Sequence, residues 1–231
     1  MRTSAPAVTR DPELDLGMPW LPPATKPRLR GVLDVFATFV AIPAGLELIA
    51  HARPGTDTAV AVIYACSLCL MLGWSGLYHT LHWPLPYFRW VQRIDHANIF
   101  FLIAGSYTPF VMPLPPELRT AALWVVWGAA LVGILRALLF IRRRRALSAV
   151  VYVVVGLALL PIQSSVRASV GPRAFSLLAI GGGLYIIGAV IYALGRPNLV
   201  PRIFGYHELF HVFVFAAATC HFVAIWGLLV G

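Results

Sequence analysis

The sequence predicts an all-α membrane protein, a bundle of seven transmembrane helices, and three observations carry that expectation. Hydrophobic residues make up 59% of the 231-residue chain and charged residues 12%, whereas a soluble domain is ~45–50% apolar. Mean hydropathy is +0.79. Apolar stretches of roughly 20 residues, each long enough for a ~30 Å hydrocarbon core, recur along most of the chain. Backbone polar groups in lipid must be satisfied within the segment, so these stretches are helices and not strands.

Residues 1–25 come first, a polar tail with Pro6, Pro12, Pro19, Pro22 and Pro23, a composition read as disordered. It lacks the apolar core of about 7–15 residues that marks a cleavable signal peptide, so the first span is expected to act as its own insertion signal. Residues 26–231 form the membrane domain. Its expected spans are Gly31–Ala50, Thr58–Leu81, Ile94–Met112, Thr120–Ile141, Leu147–Val166, Ala174–Leu194 and His207–Leu229. Pro43, Pro109 and Pro161 lie inside the first, third and fifth spans and predict kinks, which can open cavities between helices.

The basic residues set the orientation, because cytoplasmic segments beside span ends carry the excess of Lys and Arg. The tail and the alternate loops hold Arg2, Arg10, Lys26, Arg28, Arg30, Arg89, Arg93, Arg142 to Arg145, Arg196 and Arg202, against Arg53, Arg119, Arg167 and Arg173 on the other side. The N-terminus is therefore expected in the cytoplasm, the C-terminus outside, and the protein in the plasma membrane as a multi-pass chain. Arg136, near the end of the fourth span, can snorkel inward. The net charge of +9 is thus a topology signal more than a partner signal and does not imply nucleic acid. The partners expected of a chain with these spans are membrane lipids. Cys66 and Cys69, a C-x-x-C inside the second span, and Cys220 in the seventh are read as small packing residues, since apolar surroundings disfavour the thiolate that redox or zinc chemistry needs.

With this topology, ionisable residues from three spans fall at one depth of the inner leaflet. His79 ends the second span, Asp95 and His96 open the third, and His207-Glu208-Leu209-Phe210-His211 opens the seventh. An ionisable side chain among apolar helices costs several kcal/mol unless paired or ligated, so each is a functional candidate. His207 and His211, four apart, share one helix face. Neutral imidazole suits Zn²⁺, and three protein nitrogens plus one open position is the ligand count of a catalytic site. His79, His207 and His211 are accordingly expected to bind Zn²⁺. Asp95 is expected beside them, at the metal-bound water. Ser75, one turn before His79, could hold that water, a substrate oxygen or Asp95.

Other polar residues rank lower. Glu208 completes an H-E-x-x-H string, in which a Glu can serve as general base; it is read here as pointing to the interface. His82 and His96 are read as interfacial, and so is Asp34 near the inner end of the first span. His221 lies ~15 Å beyond His211 along the helix, too far to share its metal, and is read as a packed histidine bonded across helices. Asn98 and Ser106 are read as cavity-lining.

Three blocks, Ser75-Gly76-Leu77-Tyr78-His79-Thr80, Asp95-His96-Ala97-Asn98-Ile99-Phe100 with Gly105-Ser106-Tyr107-Thr108-Pro109, and His207-Glu208-Leu209-Phe210-His211 with Ala216 to Phe222, resemble the hemolysin III family. This is the bacterial branch of the progestin and adipoQ receptor family, which includes the adiponectin receptors. The resemblance implies zinc on residues matching His79, His207 and His211, with the family's aspartate and serine matching Asp95 and Ser75. Adiponectin receptors are associated with ceramide hydrolysis, while hemolysin III proteins were named for lysing red cells through pores. The leading expectation is a zinc-dependent intramembrane hydrolase of lipid amide or ester bonds. The alternatives are a pore-forming toxin, a receptor or sensor in which zinc is structural, and, more weakly, an intramembrane protease using Glu208.

Overall fold

The structure, a computed structural model, describes residues 27–140, 145–200 and 202–231. The tail at 1–25 and the Arg142–Arg144 part of the basic run lie outside the described residues. The described chain is helical, with one isolated β-bridge between Val200 and Phe204. Its elements are α1 (Val32–His51), α2 (Thr56–Thr80), α3 (Leu85–Val111), α4 (Pro116–Leu139), α5 (Arg145–Gly156), a short 3-10 turn (Leu160–Ile162), α6 (Gln163–Leu194) and α7 (Tyr206–Leu229). Five helical stretches are long and apolar enough to cross a membrane: Val32–His51, Thr56–Thr80, Pro116–Leu139, Arg145–Leu194 and Tyr206–Leu229. The third expected span lies in α3, whose first turns carry Arg89, Arg93 and Asp95.

The fifth expected span departs from the sequence reading. α5 stops at Gly156 after 12 residues, and the chain passes through the 3-10 turn at Pro161 before α6 begins. Proline has no N–H to give to a helix interior, so the break falls where the sequence places it. A second corner lies within α6 at Gly171, where φ is 80° and ψ 164°, and Pro172 follows. Pro43 and Pro109, by contrast, sit inside α1 and α3 without ending either helix.

Packing follows the rule for helices in lipid. Association there has no hydrophobic drive between helices and depends on close approach of small residues. The inward face of α1 carries Ala37, Ala41, Gly45 and Leu48; that of α4 carries Ala122, Val126, Ala130, Gly133 and Ala137. The large residues face outward, Phe39 being 74% and Trp124 77% exposed. Sequential helices pack pairwise from α1 to α4, α6 packs along α7, and α7 also touches α1, α2 and α3. α3 and α7 thus lie toward the inside of the bundle, each against helices on more than one side, and the main buried stripe of α7 runs through His207, His211, Val214, Ala218, His221 and Ile225.

α3 and α4 meet where Gly133 lies against Phe100. A Cβ at Gly133 would fall 2.3 Å from the Phe100 ring, and that ring is fully buried. Gly133→Ala is expected to destabilise the bundle by ~1–3 kcal/mol through overpacking, read as a lower thermal midpoint of purified protein in detergent.

Candidate metal centre

The three expected histidines meet. His79 comes from the last turn of α2, while His207 and His211 lie in the first two turns of α7. All three are buried, at 6%, 4% and 8% exposure. One ring nitrogen of each lies within 4.8 Å of the others, and Nε2 of His79 is 3.1 Å from Nε2 of His207. The ring centroids are 4.6 Å apart for His79 and His207, 5.5 Å for His79 and His211, and 4.7 Å for His207 and His211.

This donor set fits a divalent cation. Zn–N bonds of ~2.0–2.1 Å in tetrahedral geometry place ligand nitrogens ~3.3 Å apart, close to the 3.1 Å separation of the two Nε2 atoms. Nε2 of His211 is buried and has no hydrogen-bond partner among the described residues. A buried polar atom left unsatisfied costs about 1–3 kcal/mol, and a metal bond would relieve it.

Two of the interfacial readings are overturned around this centre. Asp34 is 2% exposed, and its Oδ1 lies 2.7 Å from Nδ1 of His211. The ring N–H is out of line for a straight hydrogen bond, so the contact is an ion-pair distance rather than a hydrogen bond. Asp34 joins the cluster because α1 packs its start against α7, which depth alone could not say. Glu208 is 1% exposed. Its Oε1 accepts from Nε of Arg30 at 2.6 Å, and its Oε2 accepts from the Gly205 backbone N–H at 2.7 Å. Glu208 therefore caps the start of α7 from the third helical position and neutralises a basic residue, and both of its oxygens are engaged.

Sequence reasoning missed the role of Arg30. Arg30 precedes α1, in the turn that ends at the left-handed Gly31, and its partner Glu208 lies 178 residues away, so no local pattern in the sequence signalled the pair. The chain around Arg30 is tied down, with Arg28 N–H bonded to the Arg202 carbonyl at 3.0 Å and Leu29 N–H to that of Ile203 at 3.2 Å. Gly31 closes the approach to α2. Its φ is +80°, and a Cβ there would lie 2.8 Å from the Cβ of His79, so only glycine suits both the turn and the contact.

A cavity of about 440 Å³ opens from the centre, lined by Ser75, His79, Asp95, His207 and His211 and then by apolar residues such as Leu102, Leu178 and Val214. Ser75 and Asp95 thus reach the same space as the three imidazoles. Ser106 lines it as expected, and His96 lines it as well, half-buried, with Nδ1 2.9 Å from the Gln92 carbonyl. Asn98 does not line it; its Nδ2 donates to the Leu70 carbonyl at 3.3 Å. His221 matches its reading as a packed histidine, with Nε2 3.2 Å from the Leu178 carbonyl across to α6. His82 is exposed. Of the cysteines, Cys66 is exposed on the outside of the bundle and so fills no space within it, while Cys69 and Cys220 are half-buried and free.

Residues 23–222 match the sequence profile of a family described as "Haemolysin-III related". The chain belongs to this family. It is 31% identical over 190 residues to Hemolysin-3 of Bacillus cereus, covering 80% of this chain and 84% of that protein. To the Hemolysin-3 homolog of Bacillus subtilis it is 32% identical over 191 residues, covering 80% and 86%. The human monocyte to macrophage differentiation factor is 28% identical over 182 residues, covering 75% of this chain and 71% of its own. The matched region takes in α1 to α6 and α7 as far as Phe222, so this haemolysin-III-related protein carries its histidine cluster within the shared part.

Breaking a buried ion pair by removing one partner strands the other charge and costs ~3–5 kcal/mol. Glu208→Gln is therefore expected to lower the thermal midpoint while leaving metal stoichiometry at the wild-type value, both measured on the same purified sample. Loss of metal with unchanged stability would place Glu208 among the ligands instead.

Proposed function

We propose that this protein is a zinc-dependent intramembrane hydrolase of lipid amide or ester bonds, built on seven spans in the plasma membrane with its N-terminus in the cytoplasm. The observation that carries this reading is the meeting of three buried imidazoles, from α2 and α7, at one end of a largely apolar cavity. Closed structural zinc sites use four protein ligands, whereas catalytic sites keep a position open for water or substrate. The family membership and the apolar helices support the membrane setting. The excess of Lys and Arg on alternate connections supports the orientation.

When bound, zinc supplies a Lewis acid and lowers the pKa of a water from ~15.7 towards ~7. The chain's own residues do the rest. His79, His207 and His211 hold the ion. The Asp95 carboxylate takes a proton from the attacking water as its oxygen bonds to the acyl carbon, then returns that proton to the departing amine or alkoxide as the C–N or C–O bond breaks. The Ser75 hydroxyl donates to the substrate's carbonyl oxygen. His207 and His221 both line the cavity, and they are 14 residues apart on α7, so the space runs for ~21 Å along that helix. Its apolar walls suit an acyl chain, and its volume lies in the ~300–1,000 Å³ range of ligand pockets.

The name Hemolysin-3, carried by two relatives, favours a second reading in which the protein permeabilises membranes and zinc only braces the bundle. The two separate on one variant. Under the hydrolase reading, Asp95→Ala keeps its zinc and loses release of fatty acid from phospholipid or ceramide vesicles by 100-fold or more, on the order of the ~10²–10⁴ contributed by a general base. Dye leakage from the same vesicles that survives this substitution, without fatty acid release by the wild type, would decide for the second.

Elemental analysis should find one zinc per wild-type chain and a loss of it in His79→Ala. Gly183 lines the cavity and has open space where a Cβ would stand. Gly183→Leu is expected to retain zinc while weakening binding of long-chain fatty acids more than short-chain ones, read by displacement of a fluorescent acyl probe.

A further inference from the structure

The start of α1 and the two residues before it supply no member of the donor group, yet they touch each segment that does. Gly31 abuts His79, Arg30 holds Glu208 between the two histidines of α7, and Asp34 lies against His211. Of these contacts, the last reaches a donor ring directly. A carboxylate 2% exposed among apolar helices needs a partner. Asp34 has Nδ1 of His211 at 2.7 Å from Oδ1, and Oδ2 makes no hydrogen bond among the described residues. Its own backbone carbonyl is occupied by the Thr38 hydroxyl at 2.7 Å.

An imidazole binds a cation through one nitrogen while the other carries the proton, and the hydrogen bond made by the second decides which is which. His211 needs Nε2 as the donor, since Nδ1 is turned to α1. We propose that Asp34 is a positioning residue for metal binding: its carboxylate accepts the Nδ1–H of His211 and so holds the Nε2 lone pair towards His79 and His207. The two atoms already stand 2.7 Å apart, within the ~2.7–3.2 Å of an N–H···O bond. Carboxylate partners of this kind fix the tautomer of a ligating histidine and raise its basicity, and losing one typically costs ~10–100-fold in metal affinity. The inference rests on the zinc reading above. It distinguishes two carboxylates that stand beside ligands: Glu208, next to His207 in sequence, is already committed to Arg30 and Gly205, whereas Asp34, remote in sequence, serves the site.

The test uses the full-length protein in detergent, with Zn²⁺ affinity measured by competition with a chromophoric chelator and Co²⁺ substituted for the visible spectrum. Asp34→Leu removes the acceptor at similar size. Asp34→Asn keeps an acceptor oxygen and removes the charge. Zinc Kd is expected to rise ~10–100-fold in Asp34→Leu and by less in Asp34→Asn, and the Co²⁺ bands are expected to shift in both, which loss of packing alone would not produce. Affinities within twofold of wild type and an unchanged Co²⁺ spectrum would overturn the proposal. If Asp34→Leu elutes as aggregate on gel filtration, Asp34→Asn decides by the same two readouts. Zinc bound by the wild type and lost in His79→Ala, but indifferent to Asp34, rejects the positioning role alone. A wild type that binds no zinc rejects this proposal and the zinc reading together.

Discussion

Taking an ionisable side chain into a bundle of apolar helices costs several kcal/mol unless something meets it. At one end of this protein Asp34, His79, His207, Glu208 and His211 are all less than one-tenth exposed. Their contacts run between helices: α1 to α7 through Asp34 and His211, α2 to α7 through His79 and His207, and the segment before α1 to α7 through Arg30 and Glu208. Each side chain therefore lowers the cost of another one far away in the chain. Those contacts tie α1, α2 and α7 together at this end of the bundle.

Lipid gives the apolar surfaces no reason to hide, so the remaining packing depends on shape. Small residues at four-residue intervals on α1 and α4 let backbones approach, and aromatic and branched residues are left on the outside. α7 lies against α1, α2, α3 and α6, so the polar groups at its start meet neighbours from several helices. Its outward-facing residues are few compared with those of α1 or α4, which lie at the rim.

The same geometry explains why a cavity adjoins the polar end. α5 ends early, and residues from its break, Gly156, Leu157 and Leu160, contribute to the cavity wall together with Gly182 and Gly183 of α6. A straight fifth helix with large side chains at these places would fill that space. Ser75 and Asp95 arrive at the cavity from α2 and α3, one turn before His79 in the first case and in the polar opening turns of α3 in the second. A polar centre, a carboxylate and an apolar chamber thus share one boundary.

Sequence by itself determined the helical class and the three histidines, because lipid forces long apolar runs and makes every polar interruption conspicuous. It did not determine the starts of α3 and α6 or the end of α5. His79, His207 and His211 could be picked out since they stand near span ends that alternation brings to one side. Only the tertiary structure decided what Asp34 and Glu208 do. Both are acids near a span end, and an acid at that depth can reach headgroups or turn inward; which occurs depends on the helix that lies beside it. The rotation of α1 about its own axis and its seat against α7 direct Asp34 to His211, and the chain before α1 delivers Arg30 to Glu208. Asn98 shows the converse, placed on the cavity by periodicity and taken away from it by the Leu70 carbonyl of α2. Periodicity gives the face of a helix that is buried, but the partner on that face is a long-range fact, set by packing between segments that a linear pattern does not relate.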